Sequence, residues 1–130
     1  MSLVYYDLET TGLNPPNHEG IEIISIGAII AGSEEGYEVF IHPEGGIQPG
    51  ATNLNGFYKD QSGRLRNRQG ELPDAWTLKD GLTEFIGWLE EVDCRYLVSF
   101  ISRKKKYISL FKNVYVCRSH ITITDTIWLF

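Results

Sequence analysis

Apolar and polar positions divide the chain into a strand-rich first third and a mixed remainder. Residues 2–8 form an apolar run that predicts a first strand. Residues 21–31 alternate or run apolar and predict a second. The polar turn Gly32-Ser33-Glu34-Glu35-Gly36 then feeds Tyr37-Glu38-Val39-Phe40-Ile41, a third strand. Connections this short leave no room for crossover helices, so an antiparallel meander is expected. Pro43 to Gly50 reads as loop, and residues 57–75, polar and punctuated by glycine, read as a long excursion in the form of a mobile hairpin.

The period then changes. Leu78, Leu82, Phe85, Ile86 and Leu89 fall on one face of a 3.6-residue repeat, predicting a helix. Thr77 is placed to cap its first turn, and Asp80 suits the positive end of the helix. Arg95-Tyr96-Leu97-Val98-Ser99-Phe100 reads as a buried strand, and strand–helix–strand implies a parallel addition to the sheet. A second helix is predicted around residues 104–113. The alternating Ile121-Thr122-Ile123-Thr124 predicts a last strand that runs into Asp125-Thr126. The expected order is β-β-β-α-β-α-β.

A length of 130 residues with 42% apolar content is expected to form a single α/β domain over residues 1–130. The sequence shows neither a run of 18 apolar residues nor a basic-then-apolar leader, so no membrane span or signal peptide is expected. Cys94 and Cys117 lack any zinc-binding spacing; they are expected to be reduced thiols of an intracellular protein, cytoplasmic or nuclear. The net charge of −5 argues against a surface that simply coats nucleic acid, but the charge is unevenly spread. Residues 1–50 carry eight acids and no Lys or Arg. Residues 101–130 carry six bases (Arg103, Lys104, Lys105, Lys106, Lys112 and Arg118) against one acid, Asp125. Lys59, Arg64, Arg66 and Arg68 form a smaller basic cluster between them.

The candidate chemistry lies at the end of the first strand. Successive strand residues point to opposite faces, so Asp7 and Glu9 share one. Two adjacent carboxylates repel unless a cation lies between them. Their oxygens suit a hard divalent ion, Mg²⁺ or Mn²⁺.

The same stretch, Asp7-Leu8-Glu9-Thr10-Thr11-Gly12, resembles the first motif of the DEDD 3′-5′ exonucleases, the proofreading-subunit-like branch of the ribonuclease H-like fold. Glu22 to Ile30 is similar to the family's second strand, and Ala51-Thr52-Asn53-Leu54-Asn55-Gly56 to the short Asn-Gly turn after the third. The resemblance implies a ribonuclease H-like mixed sheet. It also implies metal-dependent phosphodiester hydrolysis at the 3′ end of single-stranded DNA or RNA. In such enzymes four acids hold two Mg²⁺ ions about 4 Å apart, and a histidine acts as general base. By the same resemblance Asp7 and Glu9 are catalytic metal ligands, while Thr10, Thr11 and Leu13 line the terminal nucleotide. Residues Ala51 to Leu89 are also loosely similar to the exonuclease-like C-terminal region of promyelocytic leukaemia protein.

The other motifs depart from the family. Where His-Asn-x-x-Phe-Asp is expected, the chain reads Ser99-Phe100-Ile101-Ser102-Arg103-Lys104-Lys105-Lys106-Tyr107, with lysines in the region of the Asp. His120-Ile121-Thr122-Ile123-Thr124-Asp125 matches His-x-x-x-x-Asp in spacing, but its interior alternates as a strand does, which makes His120 a weak general base. His18 in a Pro-rich turn and His42 at a strand end read as surface residues. If Asp125-Thr126 is instead the family's Asp-Thr strand, the domain is incomplete at its C-terminal end, and Trp128 and Phe130 join an exposed apolar patch. The chain is then a fragment, an aberrant gene product, or a subunit completed by a second chain. Beside the exonuclease stands a different expectation, a non-catalytic nucleic-acid- or protein-interaction module that keeps the fold.

Overall fold

A hairpin-rich N-terminal half and one long helix organise the chain. The computed structural model describes residues 2–12, 20–99, 108–117 and 120–129. Elements follow in the order β1 (Ser2–Thr10), β2 (Ile23–Ile30), β3 (Gly36–Ile41), α1 (Pro49–Asn55), β4 (Tyr58–Lys59), β5 (Leu65–Arg66) and β6 (Ala75–Trp76). After these come α2 (Leu78–Glu91), β7 (Cys94–Ser99), β8 (Ile108–Cys117) and β9 (His120–Leu129). A five-stranded sheet has the order β6-β3-β2-β1-β7, beside the two-stranded pairs β4-β5 and β8-β9. The three-strand meander is present. Thr11 N–H donates to Glu22 O at one end of the β1–β2 pair and Ala31 N–H to Leu3 O at the other, an antiparallel arrangement. The helix-linked strand β7 pairs parallel with β1, Leu3 opposite Tyr96 and Tyr5 opposite Val98. The sheet is therefore mixed and the fold is α/β.

Two units share these strands. The first comprises Met1–Asp7, Gly27–Tyr37 and Glu84–Phe130. In it Val4 and Tyr6 are buried, with Phe85 and Leu89 of α2. Tyr37 stacks on Trp88 at 5.2 Å between ring centres. Burial and the Glu84 carboxylate raise the Tyr37 hydroxyl above its usual range. Cys94 is a buried free thiol, also pushed up by burial. The second unit comprises Leu8–Ile26 and Glu38–Thr83. Its core is Ile24, Phe57 and Leu65, packed by Phe40, Ile47 and Ala75.

Helix α2 begins as its sequence predicts, with Asp80 N–H donating to Thr77 Oγ1 at 3.2 Å. Its apolar stripe is shorter at the N-terminus, because Leu78 is 51% exposed. Two expectations are corrected. The segment read as an Asn-Gly turn is the end of α1, which Pro49 starts with a preset φ and Gly56 closes in the left-handed region at φ 81°. The helix predicted over 104–113 gives way to strand β8 from Ile108, in a stretch rich in β-branched and aromatic residues. Residues 104–107 lie outside the described residues, as does the Arg103–Lys106 run. The last strand, predicted over Ile121–Thr124, is longer: β9 pairs antiparallel with β8, from Cys117 opposite His120 to Ile108 opposite Leu129.

The polar excursion over 57–75 is a hairpin built on one acid. Asp60 Oδ1 accepts from Ser62 Oγ at 2.7 Å, Ser62 N–H at 2.9 Å and Arg64 N–H at 3.0 Å. Its Oδ2 accepts from Arg66 Nε at 2.9 Å. These donors, the Ser62 hydroxyl first, hold the Asp60 carboxyl far below the usual carboxylate range. The stability that follows is present above the unfolded carboxyl value of about 3.8 and is lost as pH falls toward the folded value. Asp60→Asn is therefore expected to lower the thermal midpoint at pH 7, with the gap to wild type closing as the solution is acidified. A gap independent of pH would show that ionised Asp60 is not what holds the hairpin.

Candidate active site

Strand β1 carries Asp7 and Glu9 at alternate positions, so they share a face, and both are partly buried. One continuous strand thus sets their spacing. Beyond it the chain turns at Thr10-Thr11-Gly12, and three elements hold that turn. Thr11 is buried, and its backbone N–H donates to Glu22 O while its Oγ1 accepts from Glu22 N–H, both at 2.9 Å. Gln48 N–H, just before α1, donates to Thr11 O at 2.8 Å. Asn55, the last residue of α1, donates from Nδ2 to Thr10 O at 3.1 Å and accepts from Phe57 N–H at its Oδ1.

Glu22 extends this support. Its carboxylate accepts Glu44 N–H at 2.9 Å and Gly45 N–H at 2.8 Å, clamping the loop after β3. A carboxylate held by two backbone donors is a charge-assisted anchor. Sequence reasoning assigned Glu22 only to a strand; no local signal announces an acid whose partners lie some twenty residues away. The role of Asn55 was half visible, since the Asn-Gly pair marked a backbone reversal but not its bond to Thr10.

Leu13 lies outside the described residues, as do His18 and the region Phe100–Tyr107, where the second motif would fall. His120 is placed on the backbone of β9, opposite Cys117. His42 is exposed, its Nε2 3.0 Å from Gly63 O in the hairpin. Among the described residues no three His, Cys, Asp or Glu side chains are grouped to hold a metal ion. Carboxylates of this kind are the ligands a hard divalent cation takes. Mg²⁺ keeps several waters and is commonly held by one or two carboxylates together with substrate phosphates.

A family model described as exonuclease, that of ribonuclease T, matches residues 4–118, which include most of β1, the turn and the elements that hold it. The chain belongs to the exonuclease family. Its mixed sheet with helices is consistent with the ribonuclease H-like fold of that family. Members generally use divalent metals. No curated protein matches the chain, so the narrower likeness of residues 51–89 to promyelocytic leukaemia protein stands without a match. No helix among the described residues of this exonuclease domain is long and apolar enough to cross a membrane.

Proposed function

We propose that this exonuclease-family domain removes nucleotides from single-stranded 3′ ends by metal-dependent phosphodiester hydrolysis. The observation that carries the proposal is the Asp7–Glu9 pair, on one face of β1 inside the matched span. Asp7 and Glu9 would hold Mg²⁺ or Mn²⁺. When bound, such an ion lowers the pKa of its water and neutralises phosphate charge. The chain's own contribution is position. β1 keeps both carboxylates on one face, and the bonds from Glu22, Gln48 and Asn55 hold the turn on which Thr10 would meet the terminal nucleotide, while Thr11, expected to line it too, is buried and would anchor the turn instead. Leu13, outside the described residues, would join that contact by its place in the motif. A buried free thiol at Cys94 suits a reducing, intracellular compartment.

The test uses a single-stranded oligonucleotide labelled at its 5′ end, with DNA and RNA versions, incubated with the chain and Mn²⁺. The expected product is a ladder shortened stepwise from the 3′ end, lost when EDTA removes the metal. Internal cuts, or a ladder unaffected by EDTA, would overturn the proposal. A second function is favoured by Lys104–Lys106, which occupy the region of the family's second-motif Asp. That function is a non-catalytic nucleic-acid- or protein-interaction module that keeps the exonuclease fold; oligonucleotide binding without any ladder would support it.

A further inference from the structure

Within the second unit the cations gather on the hairpin. Lys59 is the first Lys or Arg in the chain, and Arg64, Arg66 and Arg68 follow within nine residues. They differ in what they do. Arg66 is consumed by the hairpin itself, donating to Asp60 and, from Nη1, to Gly70 O at 2.9 Å. Lys59 and Arg68 are instead bonded to neighbours of Glu22 and Asn55, two of the residues that hold the turn after β1. Lys59 Nζ donates to Glu44 O at 3.3 Å, and Glu44 N–H is gripped by Glu22, the partner of Thr11. Arg68 Nη2 donates to Leu54 O at 3.4 Å, beside Asn55, the partner of Thr10. Its stem crosses Gly56, where an added Cβ would stand 2.7 Å from Arg68 Cβ.

Both bonds are long and solvent-exposed, and each uses one donor of a group that has several. The remaining donors suit oxyanions. Tyr58, 38% exposed and in register with Arg66, presents an aromatic ring on the same hairpin. Cations with an aromatic face on the same hairpin are the elements by which single strands are bound without regard to sequence.

We propose that Lys59 and Arg68 contact the phosphodiester backbone of a single-stranded nucleic acid and lead it to the Thr10–Thr11 turn. The proposal rests on the function assigned to the Asp7–Glu9 strand, and it places backbone recognition on a separate element from hydrolysis.

The test measures binding of a 5′-labelled oligothymidylate by fluorescence anisotropy in EDTA, so that hydrolysis plays no part. Affinity is followed against salt concentration. Each phosphate contact to a single strand contributes about 0.7 to the slope of log K against log salt. Lys59→Gln and Arg68→Gln should each flatten the slope by about 0.7, and the double variant by about 1.4. Arg68→Lys, which keeps the charge, should retain the wild-type slope. Lys79→Gln, exposed on α2, should also leave it unchanged. Thermal midpoints of all variants exclude unfolding as the cause. Unchanged slopes in both hairpin variants, an equal change in Lys79→Gln, or no binding by the wild-type chain would overturn the proposal. If the slopes respond but no 3′ ladder ever forms, the hydrolytic function fails and this binding surface stands.

Discussion

Replacing Asp7 with Ala is expected to lower metal-dependent shortening of a 3′ single strand by about 10³-fold. The pair on β1 would hold a hard cation, and removing one carboxylate leaves Glu9 alone to do so. A bound divalent ion contributes several kcal/mol of charge stabilisation to phosphoryl-transfer chemistry. Each 1.36 kcal/mol is a factor of ten in rate, so losing about 4 kcal/mol gives the stated effect. Asp7→Asn removes the charge at nearly constant volume and is expected to behave as Asp7→Ala does. Single-turnover rates at saturating Mn²⁺ provide the measurement, with calorimetric Mn²⁺ titration as a second readout that does not depend on turnover. Equal rates for wild type and Asp7→Ala would remove the carboxylate pair from the mechanism.

Gly56→Ala is expected to cause the largest loss of stability among single-atom additions to this support. Gly56 caps α1 at φ 81°, and a left-handed conformation costs an L-residue about 1–2 kcal/mol. The new methyl would also meet Arg68, 2.7 Å from its Cβ and 2.9 Å from its Nε. Overpacking of this kind costs about 1–3 kcal/mol. Together these predict a thermal midpoint lower by about 10 °C. Gly63→Ala separates the two contributions, since Gly63 has φ 80° but nothing within 4 Å of an added Cβ. It should lose the backbone part alone. Equal losses in the two variants would show that Arg68 does not pack across the cap. The consequence for function follows the chain: a displaced Gly56 moves Asn55, and Asn55 holds Thr10 O.

Local patterns were a good guide wherever the determining interactions are close in sequence. An apolar run revealed β1, and the alternation of strand side chains put Asp7 and Glu9 on one face. Thr77 and Asp80 marked the start of α2 because a helix cap is made within one turn. The short polar turn after β2 forced a hairpin because the chain there has no length for any other connection. Two expectations were overturned. The family resemblance implied a short Asn-Gly turn over Ala51–Gly56, whereas Pro49 and Gly56 mark the two ends of a short helix. A helix was expected around residues 104–113, whereas the β-branched and aromatic residues from Ile108 onward favour the extended backbone of β8.

The sequence by itself determined the α/β character of the chain, its family and the carboxylate pair, because strand alternation and a contiguous motif are carried by neighbouring residues. Tertiary structure alone decided what holds the turn that follows that pair. Glu22 reaches from the start of β2 to the loop at Glu44 and Gly45, and Asn55 reaches from α1 back to Thr10. It also decided that, of the hairpin's cations, Arg66 is a clasp while Lys59 and Arg68 are bonded to neighbours of two residues that hold the turn. Such roles depend on which backbone groups folding brings within hydrogen-bonding distance, and residue spacing does not encode that distance.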